Sequence, residues 1–263
     1  MPDLSRDIDP SNPLKSGLAE GALRVGLWSA LGSNIVAEML SYVGADWILF
    51  DMEHAPNDLP LLVTQLQAMN GSRSVPMVRP AWNDPVILKQ LLDAGVHNFV
   101  IPFVQNAKEA EAAVAAVRYP PRGIRGVAAG ARGSHYGFEK DYWRTIAERI
   151  TVIAQVETKE AIDELDAICA VDGIDCAFVG PNDLAASMGY LMGVGNQEVQ
   201  DVMASVPGVC ARHGKAAGTL ASNADEVRRY IDMGYKFVGL GSDAGLLKAA
   251  ALETVHAARS FSS

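Results

Sequence analysis

From about residue 22 the chain repeats one phrase. A short β-branched or apolar run is followed by a polar loop and then by an alanine- and leucine-rich stretch with helical spacing. The runs fall near 24–29, 46–51, 75–79, 98–104, 151–157, 174–180, 215–219 and 236–241, and each reads as a strand. Ser33, Asp58, Asp84, Asn106, Asn182 and Asn223 stand where helices should start, as caps or first-turn residues whose side chains accept from the free helix N–H groups. Gly44, Gly95, Gly173 and Gly234 stand where helices should stop. Strands alternating with helices imply βα units and a parallel sheet, and eight such strands point to a closed barrel. No Pro/Ser-rich linker or break in composition divides the chain. The reading is therefore a single (β/α)8 TIM barrel over 22–263, preceded by an N-terminal extension, 1–21. The gap between strands four and five is the longest; Tyr119-Pro120-Pro121-Arg122-Gly123 opens a glycine-rich stretch to Gly137, and a loop of that length is usually functional.

An open doubly wound sheet is the alternative fold, but its nucleotide signature is missing. Gly239-Leu240-Gly241-Ser242-Asp243-Ala244-Gly245 has one residue too many before the third glycine, and Gly208 to Lys215 is no Walker A loop. No nucleotide cofactor is expected.

Composition narrows the partners. The chain has 263 residues, 22 Lys and Arg against 31 Asp and Glu, and a net charge of −9, which disfavours nucleic acid and anionic membranes as partners. Cys169, Cys176 and Cys210 show no C-x-x-C spacing, so neither a disulfide framework nor a zinc site is suggested, and a reducing cytoplasm fits best. The N-terminus carries acids and prolines where a signal peptide would have a basic start and an apolar run, and no stretch is long and apolar enough to span a membrane. Asn70-Gly71-Ser72 reads as a turn.

Barrel enzymes carry their chemistry at the C-terminal ends of strands. Here those ends read Asp51-Met52-Glu53-His54, Arg79, Gln155-Val156-Glu157, Gly180-Pro181-Asn182-Asp183, Thr219 and Gly241-Ser242-Asp243. Glu157 and Asp183, on adjacent strand ends without His or Cys beside them, suit a hard cation such as Mg²⁺ or Mn²⁺; the plainer alternatives are an ion pair for Glu157 and a helix-dipole partner for Asp183. His54 follows Asp51 and Glu53, so a carboxylate can fix its tautomer for acid/base work. Arg79 can clamp a substrate carboxylate or enolate, or can pair with Asp51 or Glu53. A Schiff-base lysine is not expected, because Lys215 and Lys236 open their strands at the opposite face. The glycines at the end of strand eight leave a metal-independent phosphosugar isomerase as a reading from another class.

Five motifs in order carry a resemblance: Asp51-Met52-Glu53-His54-Ala55-Pro56-Asn57, Val78-Arg79-Pro80-Ala81-Trp82-Asn83-Asp84-Pro85, Tyr119-Pro120-Pro121-Arg122-Gly123-Ile124-Arg125-Gly126, Gln155-Val156-Glu157-Thr158 and Gly180-Pro181-Asn182-Asp183-Leu184. From about Gly26 to Ala250 the sequence resembles the HpcH/HpaI family of metal-dependent pyruvate aldolases. The resemblance implies a phosphoenolpyruvate/pyruvate-type barrel whose last helix packs on a neighbouring subunit, in a homohexamer built as a trimer of dimers. It implies that Glu157 and Asp183 hold a divalent metal (Mg²⁺, Mn²⁺ or Co²⁺) and that the backbone of Gly180, Pro181 and Asn182 receives the pyruvate carboxylate. Arg79 then faces the pyruvate oxygen, His54 with Asp51 handles the proton, and Gln155, Trp28 and Leu220 line the pocket. Asp93 matches a carboxylate placed near the histidine of an adjoining subunit. The implied reaction cleaves a 4-hydroxy-2-oxo acid to pyruvate and an aldehyde. The first expected substrate is 4-hydroxy-2-oxoheptanedioate, giving succinic semialdehyde in aromatic catabolism; 2-keto-3-deoxy sugar acids are the alternative. Segments 128–137 and 188–196 depart from the family pattern and are expected to meet the aldehyde half.

Overall fold

The computed structural model describes residues 11–261. Eight parallel strands close in sequence order, the last pairing with the first. They are β1 (Arg24–Ser29), β2 (Trp47–Asp51), β3 (Val75–Arg79), β4 (Asn98–Ile101), β5 (Thr151–Val156), β6 (Cys176–Val179), β7 (Ala216–Leu220) and β8 (Phe237–Ser242). The helices are α1 (Pro13–Ala19), α2 (Asn34–Leu40), α3 (Leu59–Ala68), α4 (Pro85–Asp93), α5 (Ala107–Val117), α6 (Tyr142–Thr145), α7 (Lys159–Asp163), α8 (Leu165–Ala170), α9 (Pro181–Ser187), α10 (Gln197–Arg212), α11 (Ala224–Met233) and α12 (Asp243–Ser260). This is the (β/α)8 barrel the alternation implies.

Local chemistry starts and stops the helices as expected. Ser33, Asp58, Asp84, Asn106 and Asn223 each accept a first-turn N–H, and Asn182 lies in the first turn of α9. Gly44, Gly95, Gly173 and Gly234 all take positive φ, the left-handed geometry that closes a helix at no steric cost to glycine. One strand is shorter than its pattern. β4 stops at Ile101 instead of 104 because Phe103 adopts φ 55°, which no strand accommodates.

Alternate strand residues point inward and outward, which makes two cores. The outer one lies between strands and helices; the inner one stacks Trp28, Trp47, Leu49, Met77, Phe178 and Phe237 with Leu14 and Leu18 of α1. The helix α1, inside the segment read as an extension, therefore closes the N-terminal end of the barrel. Burying its two leucines contributes roughly 1.5–3 kcal/mol each. Polar contacts fix its position: the Asn12 side chain donates to Asn98 Oδ1 at 2.7 Å and to the Arg149 carbonyl at 2.6 Å, and Lys15 pairs with Asp175 at 2.7 Å. At the other end of the chain α12 buries Asp243 and leaves most of its length exposed, including Leu247 at 63 %.

Candidate active site

The parallel register of β2 and β3 sets Asp51 opposite Arg79 at the C-terminal rim. Arg79 meets Asp51 in a two-pronged pair, Nε to Oδ1 at 2.9 Å and Nη2 to Oδ2 at 2.6 Å, while Nη1 lies 3.1 Å from Glu53 Oε2. Burial alone would lower the Arg79 pKa, but the bond to Asp51 and the charges of Asp51, Glu53 and Glu157 outweigh it and raise the value. The guanidinium also sits 5.9 Å from the Trp28 ring centroid. Asp51 is further held by the amides of Glu53 (3.0 Å) and His54 (3.4 Å), so the turn after β2 is organised around its carboxylate. Asn57, held by Gln65 at 2.8 Å, fastens the same turn to the Asp51 carbonyl at 2.7 Å.

The same geometry sets the surroundings of His54. The carboxylate nearest the His54 imidazole is Glu53, at 3.7 Å, whereas Asp51 is fully engaged with Arg79 and the turn amides. Glu53 is half-buried, and burial raises its pKa against the opposing charges of Arg79 and His54.

Across the mouth, Glu157 is 4 % exposed. Its Oε2 accepts from Gln155 Nε2 at 2.5 Å and its Oε1 from the Phe103 amide at 3.1 Å. Burial pushes its pKa up to about 7, and the negative charges of Asp183 and Glu53 add to the rise against those two hydrogen bonds. No ion pair reaches Glu157 among the described residues, and Gln155 Oε1 is buried without a hydrogen-bond partner. A buried carboxylate without a paired cation, with Asp183 and Glu53 adding negative charge, is an environment that favours a bound cation. Its donors are hard oxygens, as Mg²⁺ or Mn²⁺ requires. Among the described residues no group of three or more His, Cys, Asp or Glu side chains is arranged to hold an ion by itself. Gly180 is the close neighbour: a Cβ there would lie 2.7 Å from Glu157 Oε2.

These groups surround a cavity of about 550 Å³. Asp51, His54, Arg79, Gln155 and Asp183 reach it, as do Trp28, Leu220 and the turn Gly180-Pro181-Asn182. Glu157 stands behind Gln155 and Gly180. Among the described residues no lysine lines this cavity; Lys215 and Lys236 precede β7 and β8 at the opposite face, where the strand order had put them.

Asp93 and the two divergent segments lie away from this cavity. Asp93, at the end of α4, lies outside the cavity with Oδ1 3.5 Å from Arg125 Nη2. Neither 128–137 nor 188–196 supplies a residue to the cavity. The wall expected of them comes from Ser222, Leu240, Ser242 and from Gly245, Leu246 and Ala249 of α12. Two polar strand ends are structural: Thr219 donates to the Val179 carbonyl at 3.1 Å, and Asp243 accepts from the Ala30 and Leu31 amides at 2.8 and 3.1 Å. Sequence reasoning missed Phe103, whose amide holds Glu157. A left-handed backbone at a non-glycine residue leaves no mark in a sequence, although the Glu157 run does say that its carboxylate needs partners.

The fold and this mouth define a (β/α)8 barrel with a polar cavity at the C-terminal ends of its strands. The chain matches the HpcH/HpaI aldolase/citrate lyase family over residues 24–250. It belongs to that family, and it is a pyruvate-type aldolase. It is 46 % identical over 247 residues to 5-keto-4-deoxy-D-glucarate aldolase of Enterobacter sp. (strain 638), covering 94 % of this chain and 96 % of that one. The aldolase of the same name from Shigella boydii serotype 18 is 44 % identical over 239 residues, 91 % of this chain and 93 % of the relative. Among solved structures, an HpcH/HpaI aldolase/citrate lyase family protein from Burkholderia cenocepacia J2315 superposes with a TM-score of 0.92 at 36 % identity, covering 95 % of this chain and all (100 %) of that one.

Proposed function

We propose that the protein cleaves a 2-keto-3-deoxy sugar acid of the 5-keto-4-deoxy-D-glucarate type, reversibly, to pyruvate and a hydroxylated aldehyde acid. The observation that carries this reading is the gathering of His54, Arg79, Gln155 and Asp183 on one cavity at the C-terminal mouth. The names of the similar aldolases supply the substrate class, and the Ser222 and Ser242 hydroxyls on the wall suit a hydroxylated tail. Counted from its keto end, such a diacid is a 4-hydroxy-2-oxo acid without oxygen on C3, so one C3–C4 scission gives both products. The heptanedioate substrate expected first, and its aromatic-catabolic setting, become the second reading; the apolar Leu220, Leu246 and Ala249 favour its bare methylene chain.

In cleavage His54 takes the C4 hydroxyl proton while the C3–C4 bond breaks and its electrons move into the C2 ketone. Glu53 holds the imidazolium that forms. Arg79, fixed by Asp51, sets its positive charge near the developing enolate oxygen, and the Gly180–Asn182 backbone receives the carboxylate. Gln155 orients Glu157 and borders the pyruvate half; the His54 imidazolium then returns its proton to C3, which turns the enolate into pyruvate and leaves His54 neutral. Glu157 and Asp183 would hold a divalent ion whose Lewis acidity stabilises the enolate.

We further propose a homo-oligomer, a trimer of dimers in which α12 lies on a neighbouring subunit and Asp93 approaches a neighbour's His54. The exposed Leu247 and Leu252 of α12, and Ile35 and Met39 of α2, support it. Light scattering that gives a monomer mass would end that part of the reading.

The test of function is pyruvate release from 5-keto-4-deoxy-D-glucarate and, in parallel, from 4-hydroxy-2-oxoheptanedioate. Protein is stripped with chelator and resupplied with Mg²⁺, Mn²⁺ or Co²⁺, alongside Glu157→Ala. Metal-restored cleavage of the sugar acid, absent in the variant, is expected. Preference for the heptanedioate would install the second reading, and activity indifferent to chelation would remove the metal role of Glu157 and Asp183.

A further inference from the structure

A second cavity, of about 620 Å³, opens at the opposite end of the barrel between β3 and β5. Its wall includes Asn12, the loop from Asn70 to Pro76, His97, Arg132 and Arg149. The mechanism above uses none of them. Three arginines line this space, Arg73, Arg132 and Arg149, in a chain whose net charge is −9.

The donors there are under-used. Arg132 gives one hydrogen bond, from Nη1 to the Ala94 carbonyl at 2.8 Å, and no carboxylate pairs with it among the described residues. Arg149 pairs through Nη2 with Glu139, which leaves its Nε buried without a partner. His97 Nε2 is buried and unpartnered as well. Burial, reinforced by the charges of Arg149 and Arg125, pushes the His97 pKa down to about 3, so the ring is neutral at pH 7 and able to donate from Nε2. His135, on the same wall, is 3.1 Å from Glu139. Among the described residues Glu139 thus balances one of these three arginines, and the other two have no carboxylate partner. Two arginines without a carboxylate partner on one cavity wall are what an oxyanion of about −2 charge satisfies.

We propose that this cavity binds a small dianionic oxyanion of the phosphate class, held by Arg73, Arg132 and Arg149. Bound there, the anion ties together the loop before β3, the C-terminus of α4 through Arg132, and the entry to β5. It therefore stabilises the barrel from the face remote from catalysis.

The test uses the full chain, titrated with inorganic phosphate at constant ionic strength and followed by ³¹P line broadening and thermal melting. Saturable binding with a rise in Tm is expected, and chloride should not reproduce it. Arg132→Gln should weaken it by about tenfold or more, the scale of one charge-assisted bond. Arg73→Gln, at an exposed position that does not risk the fold, should weaken it likewise. Glycerol phosphate run in parallel separates the sources, since tighter binding of either ligand supports the site and says whether free phosphate or a phosphomonoester fills it. Phosphate affinity unchanged in both variants would overturn the proposal.

Discussion

Replacing Glu157 with glutamine should make the metal-free protein more stable at pH 8 and leave it nearly unchanged at pH 4.5. Burial raises the Glu157 pKa from 4.5 to about 7, so the folded state disfavours the charged carboxylate. The sign follows from proton linkage. Below pH 4.5 Glu157 is protonated in both states and costs nothing. As pH climbs through the window from 4.5 to about 7 the unfolded chain ionises first, and stability falls until the folded group ionises too. At about 1.4 kcal/mol per pH unit that window amounts to about 3 kcal/mol, or roughly 5 °C in Tm for a chain of this size. Glutamine avoids the charge. Its amide can donate to Gln155 Oε1, the oxygen now without a partner, if the Gln155 amide turns over, while its own oxygen still accepts from the Phe103 amide. Urea melts of chelator-treated protein from pH 4.5 to 8 read the difference directly. The two stability curves should meet near pH 4.5 and diverge to about 3 kcal/mol at pH 8; adding Mn²⁺ should raise the wild type and leave the variant where it was. Parallel curves across the range would refute the account of Glu157 as a buried, unpaired carboxylate.

Gly180→Ala leaves the backbone unstrained, since φ there is −80°, but sets a methyl 2.7 Å from Glu157 Oε2 and 3.2 Å from its Cβ. Mn²⁺ affinity, read by the electron spin resonance of the free ion, should drop by about tenfold or more with an unchanged circular dichroism spectrum. Phe103→Gly should bind Mn²⁺ as the wild type does, because glycine accepts φ 55° and keeps the N–H; Phe103→Pro should not, because proline fixes φ near −65° and removes the donor to Glu157. If both Phe103 variants bind alike, the amide does not position Glu157.

Much of the barrel could be read from the chain. Each strand run is apolar because it is covered on both faces, and each helix carries its own start and stop residues, so elements and order follow from local chemistry. The rim residues were legible for a related reason: a polar side chain at the end of an apolar strand must face the mouth. What eluded the sequence depends on pairings between distant elements. Whether the imidazole meets Asp51 or Glu53 is decided by Arg79 one strand away, and the glycine-rich excursion sends Arg132 to the far end of the barrel. The helical packing of Pro13–Ala19 was hidden because seven residues with two core leucines make too short a pattern to register.

The inner column of aromatic rings has a thermodynamic consequence. Trp47 stacks on Phe237 at 4.3 Å and meets Trp28 edge-on at 5.5 Å; Trp28 touches Phe178 at 5.6 Å and lies under Arg79. Leu14 and Leu18 belong to the same packed cluster. Substitutions at the floor and at the mouth therefore share neighbours, although they sit on opposite faces of the barrel. A double-mutant cycle between Leu18→Ala and Trp28→Phe should return a coupling energy of about 0.5 kcal/mol or more, where sites so far apart usually add. In this barrel distance along the axis is a poor measure of independence, and variants combined to raise its heat tolerance need testing as pairs.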